Sequence, residues 1–196
     1  MVRVVPLGSG SSGNATVVSF GTRRILVDTG LSARELALRL NAVGVAPDTL
    51  TAILLSHEHH DHARGLERFS VRHRVPVFTA PETLAALNLA PRHLGAWHPF
   101  EPGVPFEAFG VKVDPFTIPH DAVNPVGFVL EAEGVRVGIA TDLGHVSSDA
   151  LVSFVEGIEF GVGVFLPLIE ERHVVLVMIV ARVAEETEGG VNVAEK

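Results

Sequence analysis

The chain of 196 residues has no cysteine, which excludes disulfides and thiolate metal sites. It has no long hydrophobic run. The longest apolar stretch, Val174 to Val183, is interrupted at Arg182 and falls short of the ~20 residues that a bilayer-spanning helix requires. The opening Met1-Val2-Arg3-Val4-Val5-Pro6 turns to glycine and serine too early for a signal peptide. A cytoplasmic location with no membrane partner is the default expectation. Positive charge is scarce: 15 Lys and Arg face 23 Asp and Glu, a formal net charge of -8 that argues against a generally nucleic-acid-binding surface. Repeats, low-complexity tracts and linkers are absent too. What remains, 47% hydrophobic and 19% charged residues, describes a globular chain long enough for a single domain, 1–196, with a sizeable core.

The hydrophobic pattern predicts strands before helices. Val2 to Leu7 makes a first strand, and Gly8-Ser9-Gly10-Ser11-Ser12-Gly13-Asn14 a hydroxyl-rich turn. Ala15 to Phe20 and Arg24 to Asp28 form a hairpin around Gly21-Thr22. These glycines precede a strand and not a helix, which disfavours a dinucleotide-binding loop. Ser32 can cap a helix to about Val43, with Leu36, Leu40 and Val43 as its apolar stripe. Leu50 to Leu55 is an unbroken, mostly apolar run, the mark of a buried strand. A short helix at Arg64 to Ser70, a strand at Val75 to Thr79 and a helix opened by Pro81 follow. Phe106 to Ile118, Val126 to Glu131 and Val135 to Thr141 then form three strands, with a turn at Glu133-Gly134, and Ser147 can cap a helix through Val155. Strands with helices, twice over, suit an α+β sandwich: two mixed β-sheets with helices on the outer faces. Val174 to Val183 is either a core strand or a dimer seam.

The chemistry gathers in Ser56-His57-Glu58-His59-His60-Asp61-His62, where His57, His59, Asp61 and His62 fall on the loop leaving the buried strand. Such a concentration of ionisable groups is seldom tolerated without an ion. Imidazole with one carboxylate suits zinc, manganese or iron, in that order. His120 and Asp142 also end strands. The expected arrangement is two divalent cations: one on His57, His59 and His120, the other on Asp61 and His62, with Asp142 bridging. A hydroxide held between them would be a nucleophile near neutral pH, which makes Asp61 and Asp142 the catalytic carboxylates. Asp28, at another strand end, is expected to orient the ligand loop as a hydrogen-bond acceptor. Asp121 either holds the ring N–H of a ligand histidine or makes a turn. Glu58 and His60 alternate with the ligands and should point away, and His73, His93 and His98 are left as surface histidines.

His57-Glu58-His59-His60-Asp61-His62 resembles the HxHxDH signature of the metallo-β-lactamase fold superfamily, and Asp28, His120 and Asp142 match its other motifs in order. Within it the chain is most similar to the YycJ/WalJ-like exonucleases, through Gly8 to Asn14, Pro119-His120-Asp121-Ala122, Asn124-Pro125-Val126-Gly127-Phe128 and Thr141-Asp142-Leu143-Gly144. The resemblance implies an αββα sandwich with a dinuclear zinc or manganese site at one edge, and 5′ to 3′ exonuclease activity on DNA. It covers Met1 to about Gly157. The family's later Gly-His-Leu-Ser motif, whose histidine completes the second metal, has no counterpart in 158–196, an atypical segment that is truncated, frame-shifted or divergent. His145, or His173, is the candidate substitute, with water otherwise filling that position and the second site weaker than the first.

The expected activity is therefore phosphodiester hydrolysis, with DNA or another phosphodiester as partner. Ser9, Ser11, Ser12 and Asn14 of the first turn can hold a phosphate, unless the turn is merely structural. Arg64 and Arg68, with Arg72, Arg74 and Arg92 nearby, can track a nucleic-acid strand or form an ordinary solvated helix face. Two alternatives remain: a hydrolase of a small ester, lactone, thioester or cyclic phosphodiester, and a metal-binding protein with impaired turnover.

Overall fold

The computed structural model describes residues 2–142, 164–170 and 173–181. Among these residues twelve strands form two six-stranded sheets. The first sheet contains β1 (Val2–Gly8), β2 (Ala15–Phe20), β3 (Arg23–Val27), β4 (Ala52–Leu54), β5 (Val77–Thr79) and β6 (Trp97–Pro99), in that order. β1 to β3 pair antiparallel, whereas β3 to β6 run parallel, joined by helical crossovers. The second sheet runs β11 (Val164–Glu170), β12 (His173–Ala181), β10 (Val135–Ala140), β9 (Val126–Ala132), β8 (Lys112–Thr117), β7 (Phe106–Glu107). The sequence suggests two mixed sheets, but every described pairing in this second one is antiparallel, between the consecutive strands β7 to β10 and β11 to β12 and also where β12 lies beside β10.

The unbroken run in β4 is explained by burial on both faces. Ala52 and Leu54 join the core between the sheets, with Ile25, Val27, Phe78, Val113, Phe128, Leu130 and Ile139. Ile53 and Leu55 point the other way, into a core shared with Leu36 and Leu40 of α1 (Ala33–Ala42) and Leu66 and Phe69 of α3 (Leu66–His73). Each such aliphatic side chain withdrawn from water contributes about 1.5–3 kcal/mol before entropy is counted. Helices thus cover the outer face of the first sheet. The helix expected at Ser147 to Val155 lies outside the described residues, as does His145.

Local signals match where they are strong. Ser32 Oγ accepts from Glu35 N and caps α1. Glu133 and Gly134, with φ of 53° and 67°, make the tight turn between β9 and β10. Three details differ. The strand expected over Phe106 to Ile118 is a hairpin, because Phe109 and Gly110 take left-handed φ of 49° and 84°. The helix expected at Arg64 to Ser70 is α3, preceded by a one-turn helix α2 (His60–Ala63), so Asp61 and His62 are helical. The hydrophobic pattern does not mark β6, and it does not show how short α4 (Pro81–Ala86) is. β12 contains most of the apolar run Val174 to Val183 and pairs on both sides, with β10 and β11. Among the described residues no helix is long and apolar enough to cross a membrane.

Candidate metal centre

Strands β3, β4, β8 and β10 all end at one rim of the sandwich. Asp28, His57, His120 and Asp142 follow them there. Asp28 and Asp142 have φ of 62° and 55°, the left-handed conformation that aspartate tolerates better than most residues. Backbone hydrogen bonds knit this rim together. Asn14 N donates to Asp61 O at 2.7 Å, Gly30 N to Asn14 O at 2.8 Å, Thr29 N to His62 O at 2.7 Å and Gly65 N to Thr29 O at 2.8 Å. The approach is so close that a Cβ on Gly30 would collide with the Asp61 carbonyl and with Asn14 N. Only glycine fits there.

Four imidazoles meet at this rim. The His57 ring centroid lies 4.1 Å from that of His62, 4.8 Å from His59 and 4.9 Å from His120. His59 Nδ1 and His120 Nε2 approach to 3.1 Å. His57, His59 and His120 form one group whose donor atoms all lie within 4.8 Å of one another, and His57, His62 and Asp142 form a second. His62 Nε2 is 2.7 Å from Asp142 Oδ2 and 3.6 Å from Asp61 Oδ2. All six residues expected to hold metal are thus brought together.

Around them sits a layer of orienting contacts. Asp28 Oδ1 accepts from Ser56 N at 2.9 Å, and its Oδ2 accepts from Ser56 Oγ at 3.0 Å and faces His62 Nδ1 at 2.8 Å. Ser56 Oγ also lies 2.9 Å from His57 Nδ1. Asp121, itself exposed, reaches His120 Nδ1 at 3.3 Å. Glu58 points away from the cluster and accepts from Val123 N through both carboxylate oxygens, which pins the loop bearing His120. His60 is exposed.

The electrostatics are those of a buried site. Burial, then the adjacent His62, lowers the His57 pKa to about 3. Burial acts against charge on His62 as well, but the Asp28 and Asp142 carboxylates overcome it and raise its pKa to about 10. His57 Nε2 is buried and has no hydrogen-bond partner among the described residues, although it lies among the other donors. A buried nitrogen with a free lone pair, surrounded by imidazoles and carboxylates, fits a divalent cation.

The residues expected to touch substrate are placed differently. Asn14 is buried at 3% exposure and faces Asp61 and His62. Ser9 is half-buried, and Ser11 and Ser12 are exposed at the rim. Arg64 and Arg68 are exposed on α2–α3, with Arg72 on the same stripe. The histidines expected to lie idle on the surface are structural. His73 faces Asp48 and packs on Phe69, His98 stacks on Phe78 with ring centroids 4.7 Å apart, and His93 Nδ1 accepts from Ala90 N.

Comparison with known proteins agrees with this geometry. The family model described as the metallo-beta-lactamase superfamily matches residues 8–183, past Gly157 and through β12. The chain is 30% identical over 155 residues to exodeoxyribonuclease WalJ of Streptococcus pneumoniae serotype 2, covering 76% of this chain and 57% of that protein. It is 29% identical over 157 residues to exodeoxyribonuclease YycJ of Bacillus anthracis, covering 77% and 58%. Ribonuclease Z of Mycobacterium sp. (strain KMS) is 31% identical over 178 residues, covering 72% and 61%. The chain therefore spans less than two thirds of the length of each of these relatives. Among solved structures, Zn(2+)-bound PqqB from Methylobacterium extorquens superposes with a TM-score of 0.61 at 18% identity, covering 76% of this chain and 68% of that one. From the residues matched by the family model, the chain belongs to the metallo-β-lactamase superfamily.

Proposed function

We propose that this chain is a metal-dependent phosphodiesterase that degrades DNA from its 5′ end, in the cytoplasm. Members of its superfamily are metal-dependent hydrolases. The observation that carries the reading is the convergence of His57, His59, His62, His120 and Asp142 on two overlapping groups, with His57 Nε2 left unpartnered. The exonuclease relatives supply the substrate class.

Two zinc or manganese ions, when bound, would supply Lewis acidity toward phosphate and lower the pKa of water. His57, His59 and His120 would hold one, and Asp61, His62 and Asp142 the other. Asp28 takes the Nδ1 side of His62 and so leaves Nε2 as the donor. Asp121 does the same for His120. The exposed hydroxyls of Ser11 and Ser12, with Ser9, offer donors to a phosphate neighbouring the scissile one. Arg64 and Arg68 offer fixed positive charge to the strand beyond it.

The test is incubation of metal-loaded protein with 5′-phosphorylated duplex DNA. Wild type should shorten it from the 5′ end, and Asp61→Ala should not. A lactone and a plain phosphodiester ester are run alongside, and lactone turnover alone would refute the reading. The ribonuclease relatives favour a second reading, cleavage of an RNA phosphodiester by the same residues. RNA turnover without DNA turnover would select it.

A further inference from the structure

His57 belongs to both donor groups but can serve only one. Its Nδ1 is engaged by Ser56 Oγ, so Nε2 alone is available, and one lone pair holds one cation. With His57 committed to His59 and His120, the second group retains only His62 and Asp142. Asp61 is the further carboxylate within reach, its Oδ2 3.6 Å from His62 Nε2. Its side chain is 24% exposed and sits on a helix of one turn, so packing alone does not fix it.

Asn14 supplies what packing does not. Its Nδ2 sits between the two side chains, donating to Asp61 Oδ2 at 3.2 Å and lying 2.9 Å from His62 Nε2. The carboxamide is itself locked. Oδ1 accepts from Gly10 N at 2.9 Å, so a flipped amide would set oxygen against carboxylate and NH2 against N–H. The backbone of Asn14 is bonded on both sides, to Asp61 O and Gly30 N. Its placement is therefore complete before any ion arrives. We propose that Asn14 is a positioning residue that sets the affinity of the second cation by holding Asp61 beside His62. This rests on the two-cation reading of the site.

The test is zinc titration of the metal-free protein by calorimetry, repeated with cobalt followed by its visible absorption. Asn14→Ala should weaken the second ion by about 10–100-fold and leave the first unchanged. In an Asp61→Ala background the same substitution should change second-ion affinity by less than about 2-fold, because its effect passes through Asp61. Melting of the metal-free variant checks the fold. If Asn14→Ala melts early, Asn14→Ser, which keeps an oxygen near the Gly10 N–H but places no amide donor on Asp61, is judged by the same criteria. Wild type that takes up a single ion, unchanged second-ion affinity in the variant, or an equal loss in the Asp61→Ala background would each overturn the proposal. Loss of second-ion affinity in a protein that degrades no DNA would sustain it while refuting the nuclease reading. DNA degradation with unchanged affinities would do the reverse.

Discussion

Asp28 Oδ2 and His62 Nδ1 lie 2.8 Å apart, with side chains 1% and 0% exposed. The pair selects which nitrogen His62 presents to the rim. Replacing Asp28 with Ala leaves a buried imidazole and Ser56 without their acceptor. The expected cost is about 3–5 kcal/mol of stability, the range for breaking a buried pair from one side. Zinc affinity should fall by about 10–100-fold. Thermal melting and zinc titration check both, and wild-type affinity in Asp28→Ala would show that the pair does not orient a ligand.

Gly30 tests the backbone packing behind the site. Its Cβ would overlap the Asp61 carbonyl, which cannot retreat without moving His62. Gly30→Ala should cost about 3 kcal/mol or more, at the upper end of overpacking effects. Gly44, whose Cβ would meet nothing but whose φ is 78°, provides a control in which only backbone strain is felt. Gly44→Ala should cost about 1–2 kcal/mol and leave metal affinity intact. Denaturant unfolding ranks the two.

In the metal-free protein, pH should act on stability from both sides. His57 titrates near 3 in the fold against an ordinary 6.5, so the unfolded chain binds the extra proton between those values. Its contribution is lost as pH falls from 6.5 toward 3. His62 titrates near 10, so the folded chain binds the extra proton above 6.5. That contribution is complete below 6.5 and lost as pH rises toward 10. The melting temperature of metal-free protein should therefore peak near pH 6.5. Zinc, if held by His62 Nε2, would take the place of the His62 proton, so uptake above that pH should release protons, measurable by calorimetry in buffers of different ionisation enthalpy.

The arginine stripe makes a prediction about salt. If Arg64, Arg68 and Arg72 each neutralise one phosphate, replacing all three with Gln should flatten the salt dependence of DNA binding. The slope of log affinity against log salt should drop by about 2–3. Binding of metal-free protein to a labelled oligonucleotide reads this without turnover. An unchanged slope removes the stripe from the path of the strand.

Much of this molecule can be read from local pattern. The apolar run ending at Leu55 announces a doubly buried strand, and the histidines after it announce a rim. Asp28, His120 and Asp142 are visible because each ends a β pattern. The role of Asn14 is not visible, because its partners Asp61 and His62 are distant in sequence and no periodicity links them. The turn at Phe109-Gly110 escapes notice because phenylalanine is not a residue that announces left-handed backbone. β6 escapes notice because three residues, one of them proline, carry too little alternation. His73 and His98 look idle until Phe69 and Phe78 are placed beneath them.

The donors at the rim come from both layers of the sandwich. His57, His59, Asp61 and His62 leave the first sheet, whereas His120 and Asp142 leave the second. A cation held among them would act as a rivet through the seam. Stripping it with a chelator should speed amide exchange at the ends of β4, β8 and β10 together, so that the two halves part company at this edge before the apolar filling between them gives way.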